Sequence, residues 1–187
     1  AIPKERRKKF ISYLKGMDYI SVREQSGARI VKQLIGKDVP VLVDPTLLLS
    51  RDEWQRIEHP PEWKVPEKYI LLYFLGQIPE ELQNIIQNTA DAKHLEIINV
   101  YDLTDPRCAG IGPSEFVYLV DHAQMVYTDS FHGTVFSILM NKPFFVINRV
   151  EKGMENMSSR IDTLLDLFHM QDRYLKPEDH YQYQGER

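Results

Sequence analysis

The residues best suited to chemistry lie in three short loops, each at a point where an apolar β run gives way to a helix-forming pattern. The most informative is Thr128-Asp129-Ser130-Phe131-His132-Gly133-Thr134. The run Met125–Thr128 meets small and polar residues there, and a helix starts at once. Ser130, His132, Gly133 and Thr134 thus sit near a helix N-terminus, whose unpaired N–H groups and dipole suit a phosphate or a carboxylate. A histidine in that turn can exchange protons near neutral pH. The same field disfavours imidazolium, so a protonated His132 calls for a nearby carboxylate, with Asp129 and Glu115 as candidates. An ordinary structural reading stays open beside this one: Asp129 or Ser130 as an N-cap, and His132 as a packed polar side chain.

The second loop is Ala109-Gly110-Ile111-Gly112-Pro113-Ser114-Glu115-Phe116. Gly112 lets the backbone approach a ligand, and Pro113 suits a first helical position. A flexible loop running into a well-started helix explains the same residues. The third loop follows Tyr19–Val22 and holds Ser21, Arg23 and Glu24. Arg23 is either a fork for a phosphate or carboxylate, or one half of an ion pair with Glu24 or another surface acid. Other chemistries are excluded. There is no G-x-S-x-G turn, no H-E-x-x-H, and no Walker or dinucleotide fingerprint. Cys108 has no histidine beside it in sequence. No metal site is expected.

These loops need strands to hold them. The pattern predicts helices over 4–15 and 25–35, the second stopped by Gly36, with β runs at Tyr19–Val22 and Val39–Val43. A short helix and a proline-rich connector follow over 51–67. Tyr69–Leu75 is a continuous apolar run, as in a strand buried on both faces. Pro79–Ala92, Pro113–His122 and His132–Met140 read as helices, alternating with β runs at Leu95–Val100, Met125–Thr128 and Phe144–Ile147. A loop at 151–157 precedes a last helix with Ile161, Leu164, Leu165 and Phe168 on one face, and the tail from Arg173 reads as loosely ordered. Such alternation predicts an α/β fold, a parallel sheet with helices on both faces and ligands at the strands' carboxyl ends.

Composition narrows the class. At 43% hydrophobic and 11% aromatic over 187 residues, the chain can build a core and is not disordered. No apolar run approaches the ~20 residues that span a bilayer, so it is not read as transmembrane. The net charge of −4 gives no basic field for nucleic acid. The single cysteine excludes an internal disulfide and suggests a reducing, cytoplasmic compartment.

Five segments in order carry a resemblance: Ser21-Val22-Arg23-Glu24 with Gly27; Asp44-Pro45-Thr46-Leu47-Leu48-Leu49; Gly112-Pro113-Ser114-Glu115-Phe116; Thr128 through Ser137; and Lys142-Pro143-Phe144. Together they resemble the polysaccharide pyruvyl transferase family, from about Tyr19 to Phe168. The resemblance implies transfer of the enolpyruvyl group of phosphoenolpyruvate to a sugar hydroxyl, forming a pyruvate ketal and releasing phosphate. It implies two Rossmann-like lobes in a GT-B-like arrangement, with no cofactor beyond the donor substrate. Matched residues give Arg23 a donor-binding role and His132 that of general acid at the vinyl carbon. The resemblance also implies a sugar or lipid-linked saccharide as acceptor and a place at the inner face of a membrane.

Two departures stand out. Some relatives carry arginine where Ser130 stands, which leaves Lys142, Arg149 or Arg160 to supply that anion contact. The family's first lobe is also far longer than the residues preceding Ser21. The expectation is therefore residues 1–50 as the end of an N-terminal lobe (a βαβ remnant), 51–67 as linker and 68–187 as the C-terminal lobe, with little activity in isolation because the rest of the N-terminal lobe is a missing partner. Two rivals remain: a glycosyltransferase lobe binding a nucleotide sugar through Gly110–Glu115, and a catalytically silent glycan-binding domain.

Overall fold

The strands Tyr69–Tyr73 (β1), Glu96–Asn99 (β2), Met125–Thr128 (β3) and Phe144–Val146 (β4) form a four-stranded sheet in the order β2-β1-β3-β4. Every pairing is parallel. The structure is a computed structural model and describes residues 2–102, 104–149 and 158–182. It divides into two compact units, Ala1–Leu48 and Leu49–Arg187.

In the larger unit β1 lies at the centre and alternates its side chains between two cores. Ile70, Leu72 and Phe74 pack with Leu82, Ile86 and Ala90 of helix α4 (Glu80–Lys93). On the other side, the Tyr69 hydroxyl donates to the Leu119 carbonyl, and Tyr73 packs on Phe116. Both partners belong to helix α5 (Pro113–His122). Burial on both faces is why β1 reads as one apolar run rather than an alternating one. Pro79 caps α4 from outside, with extended backbone (ψ 141°), one position earlier than the sequence suggests. Helix α6 (Phe131–Leu139) connects β3 to β4.

Helix α3 (Arg51–Gln55) opens with a capping box: Ser50 Oγ accepts from the Glu53 N–H, and Glu53 accepts from the Ser50 N–H at 2.8 Å. The segment at 51–67 belongs to the larger unit. Trp54 stands edge-on to Phe136 at 4.9 Å, and Arg51 pairs with Asp121 at 2.8 Å. In helix α7 (Ser158–Phe168), Ile161, Leu164 and Leu165 are buried, whereas Phe168 is exposed. Over residues 173–182, the described part of the tail, the structure differs from the reading as loosely ordered. The Leu175 N–H donates to the Val146 carbonyl at 2.8 Å, and Leu175 and Tyr181 enter the core. Its few apolar residues were enough to seat it, because the edge strand β4 offered unpaired backbone. The loop at 151–157 lies outside the described residues.

The smaller unit holds helices α1 (Arg7–Lys15) and α2 (Gln25–Ile35). Gly36 closes α2 in the left-handed region (φ 72°). The two β runs shrink to a single parallel bridge, Val22↔Val41. Tyr19, Leu42 and Val43 are exposed, so the alternation that predicts two strands finds no core to bury against within this unit. Among the described residues, no helix is long and apolar enough to cross a membrane.

Candidate functional site

The sheet order locates the crevice. From β1 the chain crosses to β2 on one side, then returns through α5 to β3 on the other. The carboxyl ends of β1 and β3 therefore lie side by side at a topological switch point, with Tyr73 opposite Thr128. Ligands of open parallel sheets bind at such points.

Asp129 closes the floor of this crevice. Its buried carboxylate accepts the N–H groups of Leu75 and Gly76, each at 2.8 Å, and Arg149 Nε at 3.2 Å. The carboxylate thus ties three strand ends together. Gly76 is required by the close approach: a Cβ there would lie 2.7 Å from Arg149 Cγ and 3.1 Å from Asp129 Oδ2.

The start of α6 is built from the same buried polar groups. Thr128 Oγ1 donates to the Tyr73 carbonyl at 2.6 Å and accepts the Ser130 N–H at 3.0 Å. Ser130 is the N-cap, its Oγ accepting the Gly133 N–H at 3.4 Å. Thr134 and Ser137 return their hydroxyls to the carbonyls of Ser130 and Gly133. Gly133 lies directly on the Thr128 side chain, where a Cβ has no room. Ser130, Gly133 and Thr134 are all buried; His132 alone in this turn is exposed. Its ring stands edge-on to Phe131 at 5.4 Å.

Tyr73 adds a group that the sequence reading treats only as part of a strand. Burial pushes its phenol pKa up, against a hydrogen bond with Ser130. Its ring lies 4.9 Å from Phe116, and Phe116 lies 5.7 Å from Phe136. The available signal was position: the last residue of a strand carries its side chain toward the mouth of the crevice.

Gly112 and Glu115 are joined to each other. Glu115 Oε2 accepts the Gly112 N–H at 2.9 Å, and Oε1 lies 3.3 Å from His59 Nδ1. With Pro113 in the first turn, these contacts start α5. Burial raises the Cys108 thiol pKa, and its Sγ lies 2.9 Å from the Asn99 carbonyl, which suits an inert thiol.

Arg23 belongs to the smaller unit, where it pairs with buried Asp44. Asp44 also accepts from the N–H and hydroxyl of Thr46, at 3.1 and 2.8 Å. Burial pushes the Asp44 carboxyl up, but the Thr46 bonds and Arg23 outweigh it and leave the pKa below its ordinary value. Asp44 was legible only as part of a motif; its task is to orient Arg23. A concavity of about 570 Å³ opens beside Arg23, lined mainly by apolar residues such as Val41, Leu42 and Leu48.

At the amino ends of the strands, Glu58, Asp121 and His122 bring potential metal ligands within 4.8 Å of one another. Asp121 already accepts from Arg51 and Gln55, and burial lowers the pKa of neighbouring Lys142. These cations supply the charge that a metal would bring.

The larger unit is thus a Rossmann-like α/β lobe, with its polar loops gathered around the switch point of a parallel sheet. Residues 2–149 match the family model described as polysaccharide pyruvyl transferase, and the chain belongs to that family of transferases. No curated protein and no solved structure matches the chain.

Proposed function

We propose that the protein serves the transfer of the enolpyruvyl group of phosphoenolpyruvate to a sugar hydroxyl as a pyruvate ketal. A hydroxyl oxygen bonds to C2 of the donor, and the methylene carbon takes a proton to become a methyl group. Phosphate departs with its bridging oxygen and a second hydroxyl of the sugar closes the ketal; of the two hydroxyl protons released, one replaces the proton given to carbon and the other leaves with the phosphate. His132 delivers the proton to carbon, and the start of α6 receives an anionic group of the donor. The observation that carries this reading is the exposed His132 in a turn whose neighbours are buried and hydrogen-bonded, at the switch point of the sheet. A fixed frame around a mobile proton is what general acid catalysis needs. In this reading the acceptor is a sugar or lipid-linked saccharide, a further Rossmann-like lobe completes the machinery, and the work is cytoplasmic.

Calorimetric titration with phosphoenolpyruvate and with nucleotide sugars tests the donor. Binding of phosphoenolpyruvate alone is expected; binding of nucleotide sugars alone moves the protein to glycosyl transfer. In the complete enzyme, His132→Ala should slow phosphate release from phosphoenolpyruvate by roughly 10²–10⁴-fold, the range of general acid catalysis. A rate close to wild type removes His132 from the mechanism.

A further inference from the structure

The cations of the larger unit differ in what holds them. Arg149 is held by buried Asp129 at 3.2 Å, Arg51 by Asp121 at 2.8 Å and Arg107 by Asp105 at 2.6 Å. Lys142 lies far from the crevice, at the amino ends of the strands with Asp121 and Glu58. Arg160 is different. It stands in the first turn of α7, half-buried, and among the described residues no carboxylate pairs with it. A cation in a helix's first turn opposes the dipole, so the position does not serve the helix.

What holds Arg160 is an aromatic face. Its guanidinium carbon lies 5.3 Å from the centroid of the Phe131 ring, which in turn stands 5.4 Å from the His132 ring. One phenyl group therefore contacts both the guanidinium and the exposed imidazole. Phe131 itself is only 8% exposed, so this platform is anchored in the core rather than draped on the surface. A planar fork stacked on a ring keeps its N–H edges available, which is how arginine grips a phosphate or a carboxylate.

We propose that Arg160 is an anion-binding residue of this crevice. It takes one charged group of a small ligand bearing two, a phosphate monoester and a carboxylate, while the other lies at the start of α6 beside His132. The proposal rests on the reading of the donor as phosphoenolpyruvate, and it assigns a role to a residue beyond the stretch 2–149 that matches the family.

The test is titration of the full chain with phosphoenolpyruvate and, separately, with inorganic phosphate, together with a thermal unfolding midpoint for each variant. Arg160→Gln should weaken phosphoenolpyruvate binding at least tenfold with little change in the midpoint. Arg160→Lys, which keeps the charge but not the fork, should fall between the two. Should the glutamine variant fail to fold, the lysine variant carries the test, and wild-type affinity in it counts against the proposal. A lowered midpoint with unchanged affinity makes Arg160 a packing residue and overturns the proposal, while the donor reading stands. Wild-type protein that binds phosphate through Arg160 but not phosphoenolpyruvate keeps the anion contact and overturns the donor reading. Wild-type protein that binds neither overturns both.

Discussion

Gly133→Ala is the substitution that most directly tests how the start of α6 is built. A Cβ at this position would meet the Thr128 side chain, with Thr128 Cβ at 3.0 Å and Cγ2 at 3.2 Å, and Oγ1 closer than either. Thr128 is fully buried and cannot turn aside. Its Oγ1 holds the Tyr73 carbonyl at 2.6 Å and the Ser130 N–H at 3.0 Å, so any rotation strands two buried backbone groups. Each costs about 1–3 kcal/mol when left unpaired, and overpacking alone costs about 1–3 kcal/mol. Against this stands the gain of about 1 kcal/mol that alanine has over glycine within a helix. The strain or the lost bonds must dominate, and the net expectation is a loss of roughly 2–4 kcal/mol.

Urea unfolding followed by circular dichroism reads this as a lower midpoint at constant slope. A double-mutant cycle identifies the cause. Thr128→Ala alone should destabilise by the loss of its two bonds, and adding Gly133→Ala should then cost less than it does in the wild type, since Oγ1 and Cγ2 are gone and only the Cβ at 3.0 Å remains. Gly133→Ala as stable as wild type, or costs that simply add in the double variant, would refute the reasoning.

Two further substitutions probe the frame and the opposite end of the sheet. Asp129→Asn removes the charge facing Arg149 and turns a donor toward the N–H groups of Leu75 and Gly76. Breaking a buried pair costs about 3–5 kcal/mol, so a loss of about that size is expected, with faster hydrogen exchange at those two amides; wild-type protection there would sink the idea. Burial, and next the charge of Asp121, hold the Glu58 carboxyl above its ordinary pKa. The folded state therefore binds more protons than the unfolded one between the ordinary and the raised value, and stability falls as pH rises through that window. Glu58→Gln should gain stability at neutral pH and lose this dependence, while matching wild type in acid; an unchanged pH profile in urea unfolding would contradict the account.

The larger unit was legible because its signals were strong and local. Continuous apolar β1, the glycines and prolines at element ends, and the two polar loops at 109–116 and 128–134 each point to one structure. The smaller unit was less so. Val22 and Val41 read as parts of two strands, but strand pattern counts only when a core exists to bury it, and the unit offers one bridge. The tail erred the other way: Leu175 and Tyr181 are two apolar residues in a polar stretch, and only the exposed backbone of β4 reveals where they go. At the strand ends the residue types were legible, but their contacts were not. Glu115 was a candidate partner for His132, and the structure joins it instead to Gly112, by the i, i+3 spacing of a capping box, and to His59, a contact distant in sequence that no spacing encodes.

The way the Thr128–Thr134 turn divides its labour says what constrains it. Thr128, Asp129, Ser130, Gly133 and Thr134 all spend their polar groups or their small size inside the fold. Phe131 and His132 differ from these: the Phe131 ring bears Arg160, and His132 is exposed. A turn held by so many buried hydrogen bonds has little freedom to relax, because each one broken leaves an orphan in a dry interior. The imidazole is consequently carried by a rigid element rather than by a mobile loop. Proton transfer to carbon depends on distance and direction at the scale of tenths of an ångström, so rigidity of the carrier is worth more than proximity of extra charges. On the proposed role of His132 as proton donor, the small and hydroxyl residues around it contribute by what they prevent, and substitutions among them should lower activity through the position of the histidine before they touch any ligand.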